Sequence, residues 1–249
     1  MPAGATGLYD DLPSFFWRCD SVRTLAVRQT ECDLGASRAS LLAAALTVRP
    51  GKRFEVLLDF QFPAVWKSDQ PVYGVGDMLV RSTARIIGDT LGASGLFFRA
   101  DLRVPTGSKA LRPFSNATLQ MDAGLETRFT GHGMMFRCAA LYGAGGEARQ
   151  DADFEDDRHL TLAASAGLSF PDIVSLRLAS FLLWFDGGDI RNMYLVSIER
   201  EVSPQLLVEL AGAFEAAGEA RVFDSSLSVS FTYRFPPPAP APKADSNQP

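Results

Sequence analysis

Charged side chains recur at every second position in several short segments of the chain, and the arginines among them are best suited to bind a solute. Guanidinium groups donate paired hydrogen bonds to carboxylates and phosphates. Arginines on adjacent segments, such as Arg81, Arg85, Arg99 and Arg103, could therefore select a solute by its charge. With the acids that alternate with them, the candidate solute-lining residues are Asp59, Asp77, Arg81, Arg85, Arg99, Asp101, Arg103, Asp122, Glu126, Arg128, Arg137 and Arg177.

The same charges admit a second interpretation. Both signs occur on neighbouring segments, so these side chains could pair with one another across strands. Burying unpaired charges costs several kcal/mol each, so the space that they line must be wet or fully paired. The residues therefore form either a narrow polar conduit that selects a solute or an ion-pair network that packs the interior and fixes the strand register.

Other chemistry finds little support in the sequence. The chain has two histidines, His132 and His159. A membrane-embedded lipid hydrolase would need a serine and a histidine on adjacent strands near the outer rim, and His159 with Ser165 or Thr161 does not meet that need. The three cysteines share no metal-like spacing. We therefore predict no catalytic residue, no metal site and no cofactor.

The elements that carry the charges are predicted from a period-two alternation, which is clearest at the end of the chain. In Ser226–Phe235 hydrophobic side chains face one way, and four hydroxyls with Arg234 face the other. A strand places successive side chains on opposite faces, so this one separates an apolar medium from a wet one. About twelve such strands are predicted: Val22–Glu31, Arg38–Val48, Phe54–Phe62, Asp77–Ile86, Leu96–Val104, Thr118–Phe129, Met134–Tyr142, Leu160–Leu168, Ile173–Phe185, Met193–Val202, Leu206–Glu215 and Ser226–Phe235.

The connections between these strands are sorted by length. Starting after the first strand they run long, short, long, short, as in Pro63–Tyr73 followed by Gly88–Gly95. Outer-membrane barrels have short periplasmic turns and longer external loops, whereas a soluble sandwich or lipocalin-like fold, the alternative, has no reason to sort loops in this way. We predict an all-β fold, a closed antiparallel transmembrane up-and-down barrel of about twelve strands over residues 21–235.

Two terminal segments flank the predicted barrel. Residues 1–20 form an arm that could plug the lumen, and residues 236–249 form a Pro-rich tail that we expect to be disordered. Residues 1–20 have neither the basic nor the apolar region of a secretory signal. A bacterial outer-membrane location therefore requires a signal that is not within this sequence.

Bulk properties limit the partners. The formal net charge of −5 argues against a nucleic-acid partner. No run of about 20 apolar residues exists that could form a transmembrane helix. The predicted partners are membrane lipid and a small-molecule solute.

Two short motifs and the terminal aromatic residue carry a resemblance. Gly74-x-Gly76-Asp77 opens one strand, and Pro105-Thr106-Gly107-Ser108 follows another. Both resemble the family of outer-membrane β-barrel transporters assigned to the meta-pathway of phenol degradation. The terminal Phe235 resembles the assembly signal of outer-membrane barrels.

The resemblance implies a channel for small, aromatic or hydrophobic solutes. The sequence leaves two other functions open. One is a non-transporting barrel for adhesion or anchoring, with loops such as Gly143–Asp157 as its active part. The other is an outer-membrane lipid hydrolase.

Overall fold

The computed structural model describes residues 23–34, 37–51, 53–67, 70–88, 94–111, 114–115, 119–147, 155–170, 174–186, 190–216 and 224–235. The predicted N-terminal arm and the Pro-rich tail lie outside these residues. Thirteen strands are formed within the described ranges: β1 Arg23–Asp33, β2 Arg38–Gly51, β3 Phe54–Lys67, β4 Gln70–Tyr73, β5 Met78–Gly88, β6 Gly95–Val104, β7 Gln120–Gly131, β8 Met134–Glu147, β9 Glu155–Phe170, β10 Val174–Phe185, β11 Ile190–Ser203, β12 Leu206–Glu215 and β13 Ser225–Arg234. A 3₁₀ turn, Lys109–Leu111, lies between β6 and β7.

Twelve of these strands close into one antiparallel barrel. Each pairs with its neighbour in the chain, apart from the short β4, which pairs only with β3 and is bypassed because β3 also pairs with β5. The ring closes between β1 and β13, where ten residue pairs run from Thr24 opposite Arg234 to Asp33 opposite Ser225. The predicted closed barrel of about twelve strands is confirmed. No helix among the described residues is long and apolar enough to cross a membrane.

The two faces of the wall are divided as the alternation predicts. Large apolar side chains lie on the outer surface, where Phe98 is 45%, Leu125 49% and Phe231 51% exposed. The charged residues between them point inward, and Arg99 and Glu126 are buried. Polar and charged side chains therefore fill an interior that is surrounded by an apolar belt.

Aromatic side chains on the outer surface gather near the strand ends. Trp184 and Tyr194 lie on the outer face at the end where β10 meets β11, and Tyr194 stacks on Phe214 with ring centroids 5.3 Å apart. At the opposite end Phe129 packs against Phe136, with centroids 6.4 Å apart. Two such girdles flank the hydrocarbon band of transmembrane barrels.

The longest connections between strands, 105–119, 148–154 and 216–224, all lie at one end of the barrel. The end that carries the 52–53, 89–94, 132–133, 171–173 and 204–205 connections is called the turn end, and the other the loop end. Two of the predicted loops are largely strand. Within Pro63–Tyr73, β3 continues to Lys67 and β4 spans Gln70–Tyr73. Most of Gly143–Asp157 is strand, since β8 continues to Glu147 and β9 begins at Glu155. Four small residues at 143–146 pair there with residues 156–159. Because glycines have no side chain, this part of the strand shows no alternation of large and small residues in the sequence.

The outward orientation of the apolar face predicts a penalty that depends on depth. Leu178 is 61% exposed in the middle of β10, and Val202 is 60% exposed next to the turn end of β11. Leu178→Arg should lower the free energy of unfolding by about 2–4 kcal/mol because it buries a charge in hydrocarbon, whereas Val202→Arg near the interface should cost about 0–1 kcal/mol. Denaturant titration of barrels refolded in lipid vesicles measures both values. Equal losses for the two variants would contradict a membrane-facing surface.

Candidate functional site

The inner face of the barrel is the candidate site, and the predicted lining residues lie on it or at its loop end. Nine of the twelve are buried and three are half-buried. The buried residues are Asp59, Asp77, Arg81, Arg99, Asp101, Arg103, Glu126, Arg137 and Arg177, and the half-buried residues are Arg85, Asp122 and Arg128. Asp77 stands in the segment between β4 and β5 rather than within a strand.

Glu126 on β7 is the centre of one ion-pair network. Its carboxylate is bonded by Arg128 on the same strand and by Arg137 on β8, and Nη1 of Arg99 lies 3.7 Å from Oε2. Glu126 and Arg99 are 0% and 1% exposed. Three guanidinium groups therefore share one carboxylate that water does not reach.

From β7 and β8 the network continues toward β2 through two further acids. Asp101 on β6 accepts a bidentate pair of hydrogen bonds from Arg81 on β5, at 2.9 and 2.8 Å. It also accepts a hydrogen bond from Nη2 of Arg99, at 2.5 Å. Glu55 on β3 accepts two hydrogen bonds from Arg49, at 2.8 and 2.7 Å. Nη2 of Arg128 lies 3.8 Å from Oε1 of Glu55, so a connected set of charges lines the barrel from β2 to β8.

A second set of charges lies across β10, β11 and β12. Arg177 donates through Nη2 to Glu199 at 2.6 Å and through Nη1 to Glu209 at 2.8 Å. Nearer the loop end, Nε of Arg191 donates to Glu215 at 2.6 Å. Arg191 and Glu215 are both buried, and neither is among the lining residues predicted from the sequence.

Two polar pairs form across an intervening strand because that strand carries a small residue between them. Nη2 of Arg28 on β1 lies 3.8 Å from Oδ2 of Asp59 on β3, over the alanines of β2 that are their register partners. Nε2 of His159 on β9 lies 2.6 Å from Oδ1 of Asp122 on β7. Gly143 on β8 is the register partner of both, and a Cβ there would collide with the imidazole and the carboxylate.

His159 therefore bonds a carboxylate rather than one of the hydroxyls considered from the sequence. Ser165 lies six residues farther along β9 on the same face, which at 3.3 Å per residue is about 20 Å away. That separation removes Ser165 as a nucleophile that His159 could activate. His159 also lies against the ring of Phe185, with centroids 5.9 Å apart.

At the loop end the lumen is apolar. One cluster of buried side chains there includes Leu41, Val65, Phe181 and Leu195 from four strands, and Phe114 from the β6–β7 loop joins it. Phe114 is 0% exposed. Part of this loop is therefore folded into the barrel and narrows the lumen.

The folded loop is held by Asp77. Its Oδ1 accepts hydrogen bonds from the Ser115 hydroxyl at 2.9 Å and the Gly107 amide at 3.2 Å. The Thr106 hydroxyl donates to the Gly76 carbonyl at 2.7 Å. The two sequence motifs are thus in direct contact, and Cβ atoms at Gly76 or Gly107 would meet the opposite segment.

A cavity of about 600 Å³ opens at the turn end. It lies between the β7–β8, β9–β10 and β11–β12 turns, and Glu199, Glu201, Ser175, Met135 and Leu207 contribute to its wall. The lumen therefore changes along the barrel axis from this mixed cavity through the ion pairs to the apolar loop end.

Removal of the Glu126 carboxylate should be strongly destabilising. Glu126→Gln leaves two buried guanidinium groups, of Arg99 and Arg137, and the half-buried one of Arg128 without their shared anion, and breaking buried pairs in this way costs about 3–5 kcal/mol. Glu201→Gln is the control, because that side chain is 40% exposed and pairs with Arg234 at 3.4 Å, and its loss should cost less than about 1 kcal/mol. Denaturant unfolding in lipid vesicles compares them, and similar losses would count against the network.

Loss of the Asp77 carboxylate should release the folded loop. Asp77→Ala removes the acceptor of two hydrogen bonds, each with a net value of about 1 kcal/mol, so trypsin should cleave after Lys109 about 5–30 times faster. Ser108→Ala is the control because the Ser108 hydroxyl accepts only a local bond, from the Ala110 amide at 3.3 Å. Equal cleavage rates in the two variants would contradict the role given to Asp77.

No protein-family model and no curated protein sequence matches the chain. The resemblance to the phenol-degradation family therefore stays a prediction.

Solved structures of outer-membrane barrels do match. A crystal structure of an outer membrane channel from Pseudomonas putida F1 superposes with a TM-score of 0.60 at 13% identity, over 86% of this chain and 96% of that one. The KdgM porin, solved with disordered oligogalacturonate, has a TM-score of 0.58 at 9% identity, over 86% and 99% of the two chains. The NanC porin superposes with a TM-score of 0.57 at 10% identity, over 86% of this chain and 100% of that one. At these identities the likeness concerns the fold, and the chain has the fold of an outer-membrane β-barrel.

Proposed function

We propose that the protein is a channel of the bacterial outer membrane that passes small, aromatic or hydrophobic solutes through a narrow charged lumen. The observation that carries this proposal is the division of the wall, with an apolar belt outside and charged side chains facing a closed interior. The channel and the two porins that share the fold support it. The short connections would face the periplasm, as in other barrels of this class.

Two opposite walls of the lumen carry different side chains, and this arrangement supports a path for the solute between them. In the ring of twelve strands β13 stands six strands from β7, and β1 six strands from β8. From Ser226 to Thr232 the inner face of β13 carries small hydroxyl side chains, at Ser226, Ser228, Ser230 and Thr232, and Arg234 follows on this face at the turn end. The network around Glu126 lies on the opposite wall, so a solute would pass between short side chains and guanidinium groups.

The N-terminal arm is part of this proposal. The first described strand, β1, begins at the turn end. We therefore assign residues 1–20, which lie outside the described residues, the role of a plug at the turn-end mouth.

One observation favours a second candidate, a barrel that anchors or adheres without transporting. Arg99 and Glu126 are 1% and 0% exposed, so ion pairs occupy much of the interior at that level. A barrel whose interior serves only as a core would show the same burial. The lipid-hydrolase alternative has less support, because Nε2 of His159 is engaged with the Asp122 carboxylate.

Single-channel recording in planar lipid bilayers separates these candidates. We expect discrete current steps, and Arg103→Gln should shift the permeability ratio toward cations because it removes a buried positive charge. A change of about 1 kcal/mol, the energy of two unit charges about 4 Å apart in water, corresponds to roughly fivefold in this ratio. Arg200→Gln, with an exposed side chain, should leave the ratio unchanged.

The same recordings test the plug and the second candidate. Deletion of residues 1–20 should raise the conductance. The absence of current steps from a preparation that shows heat-modifiable migration, the mark of a folded barrel, would favour the anchoring role.

A further inference from the structure

We propose that Arg191 binds the carboxylate of a small apolar acid, and that an aromatic carboxylate fits best. Arg191 is 1% exposed. Its Nε donates to Glu215, but among the described residues both terminal nitrogens of the guanidinium, Nη1 and Nη2, are buried without a hydrogen-bond acceptor. Buried polar groups of folded proteins nearly always have partners, so two orphaned nitrogens on one side chain need an explanation.

Another arginine of the same lumen shows what such nitrogens bind. Arg177 holds two carboxylates through its terminal nitrogens, Glu209 through Nη1 and Glu199 through Nη2. Arg191 holds one carboxylate through Nε and keeps the edge between Nη1 and Nη2 open. That edge presents two parallel N–H groups that match both oxygens of a carboxylate, the strongest type of charge-assisted hydrogen bonding.

The surroundings of Arg191 determine the rest of the ligand. Leu183 is its register partner on β10, and on the next inward-facing rung Phe181 is paired with Met193. All three side chains are buried in the apolar cluster of the loop end. A ligand whose carboxylate reaches Arg191 would lay its body against this surface, and Phe181 favours an aromatic ring there.

The position on β11 makes this an early contact for a solute. Arg191 is the second residue of the strand and stands at the loop end, whereas Arg177 and the Glu126 network lie deeper. Apolar neighbours lower the local dielectric and strengthen a charge-assisted hydrogen bond. The inference rests on the proposed channel function and adds the class of solute to it.

Equilibrium dialysis of the full chain in detergent with radiolabelled benzoate tests this site. We expect saturable binding of one benzoate per chain. Arg191→Gln should weaken it by at least about tenfold, since hydrogen bonds to charged groups are among the stronger ones. Arg200→Gln, the same change at an exposed position of the same strand, should bind as the unmodified protein does. Heat-modifiable migration confirms that each variant is folded.

Competition on the unmodified protein gives a measurement that needs no variant. Benzyl alcohol has the ring without the carboxylate, and acetate has the carboxylate without the ring. Each should displace benzoate at least about tenfold less well than unlabelled benzoate, if the site supplies about one charge-assisted bond or its apolar equivalent. Equal displacement by either compound, unchanged binding in Arg191→Gln, or no saturable binding would overturn the inference.

The two proposals fail in different ways. Current steps without benzoate binding would overturn this inference alone. Benzoate binding by a folded barrel that carries no current would overturn the channel and leave the site in place.

Discussion

Closure of the sheet is the constraint on which the structure depends. Hydrocarbon offers no water to an unpaired backbone amide or carbonyl, so a sheet can cross a membrane only if it has no free edge. The pairing of β1 with β13 removes the last edge. Once the ring is closed, each strand has an outside and an inside, and alternate residues must suit lipid and lumen. A register slip of one residue would exchange these two faces.

Closure also requires the charged side chains of the interior to pair with one another. A guanidinium on the inner wall cannot turn away to bulk solvent, so its carboxylate must come from a neighbouring strand or from the strand beyond. Small residues make the longer reach possible: the β2 alanines lie between Arg28 and Asp59, and Gly143 lies between Asp122 and His159. The size of the residue between two polar groups thus decides which pairs form.

The fold could be predicted from the sequence because the alternation of apolar and polar residues identifies each strand separately. Pairings were less accessible because they depend on register, which a single strand does not encode. Asp77 was predicted to line the lumen with the other acids, yet it is a buried anchor for a loop thirty residues away. Arg191 was missed because the predicted strand began at Met193, three residues after the observed start at Ile190, and this placed Arg191 in a loop. The alternation of apolar and polar residues is least reliable at the ends of strands.

The order of zones along the axis bears on selection. Apolar constrictions resist wetting, so a hydrated ion at the loop end would have to shed water before it reached the compensating charges deeper inside. A solute with its own apolar surface would lose less on entering that zone. A solute would then meet the ion pairs only after it had passed the apolar cluster. Because most of these charges are paired with one another, they would attract a solute only at short range. If the lumen conducts as proposed, selection would begin with desolvation, and the arrangement of the few polar groups within the apolar zone would decide how strongly a polar solute binds there.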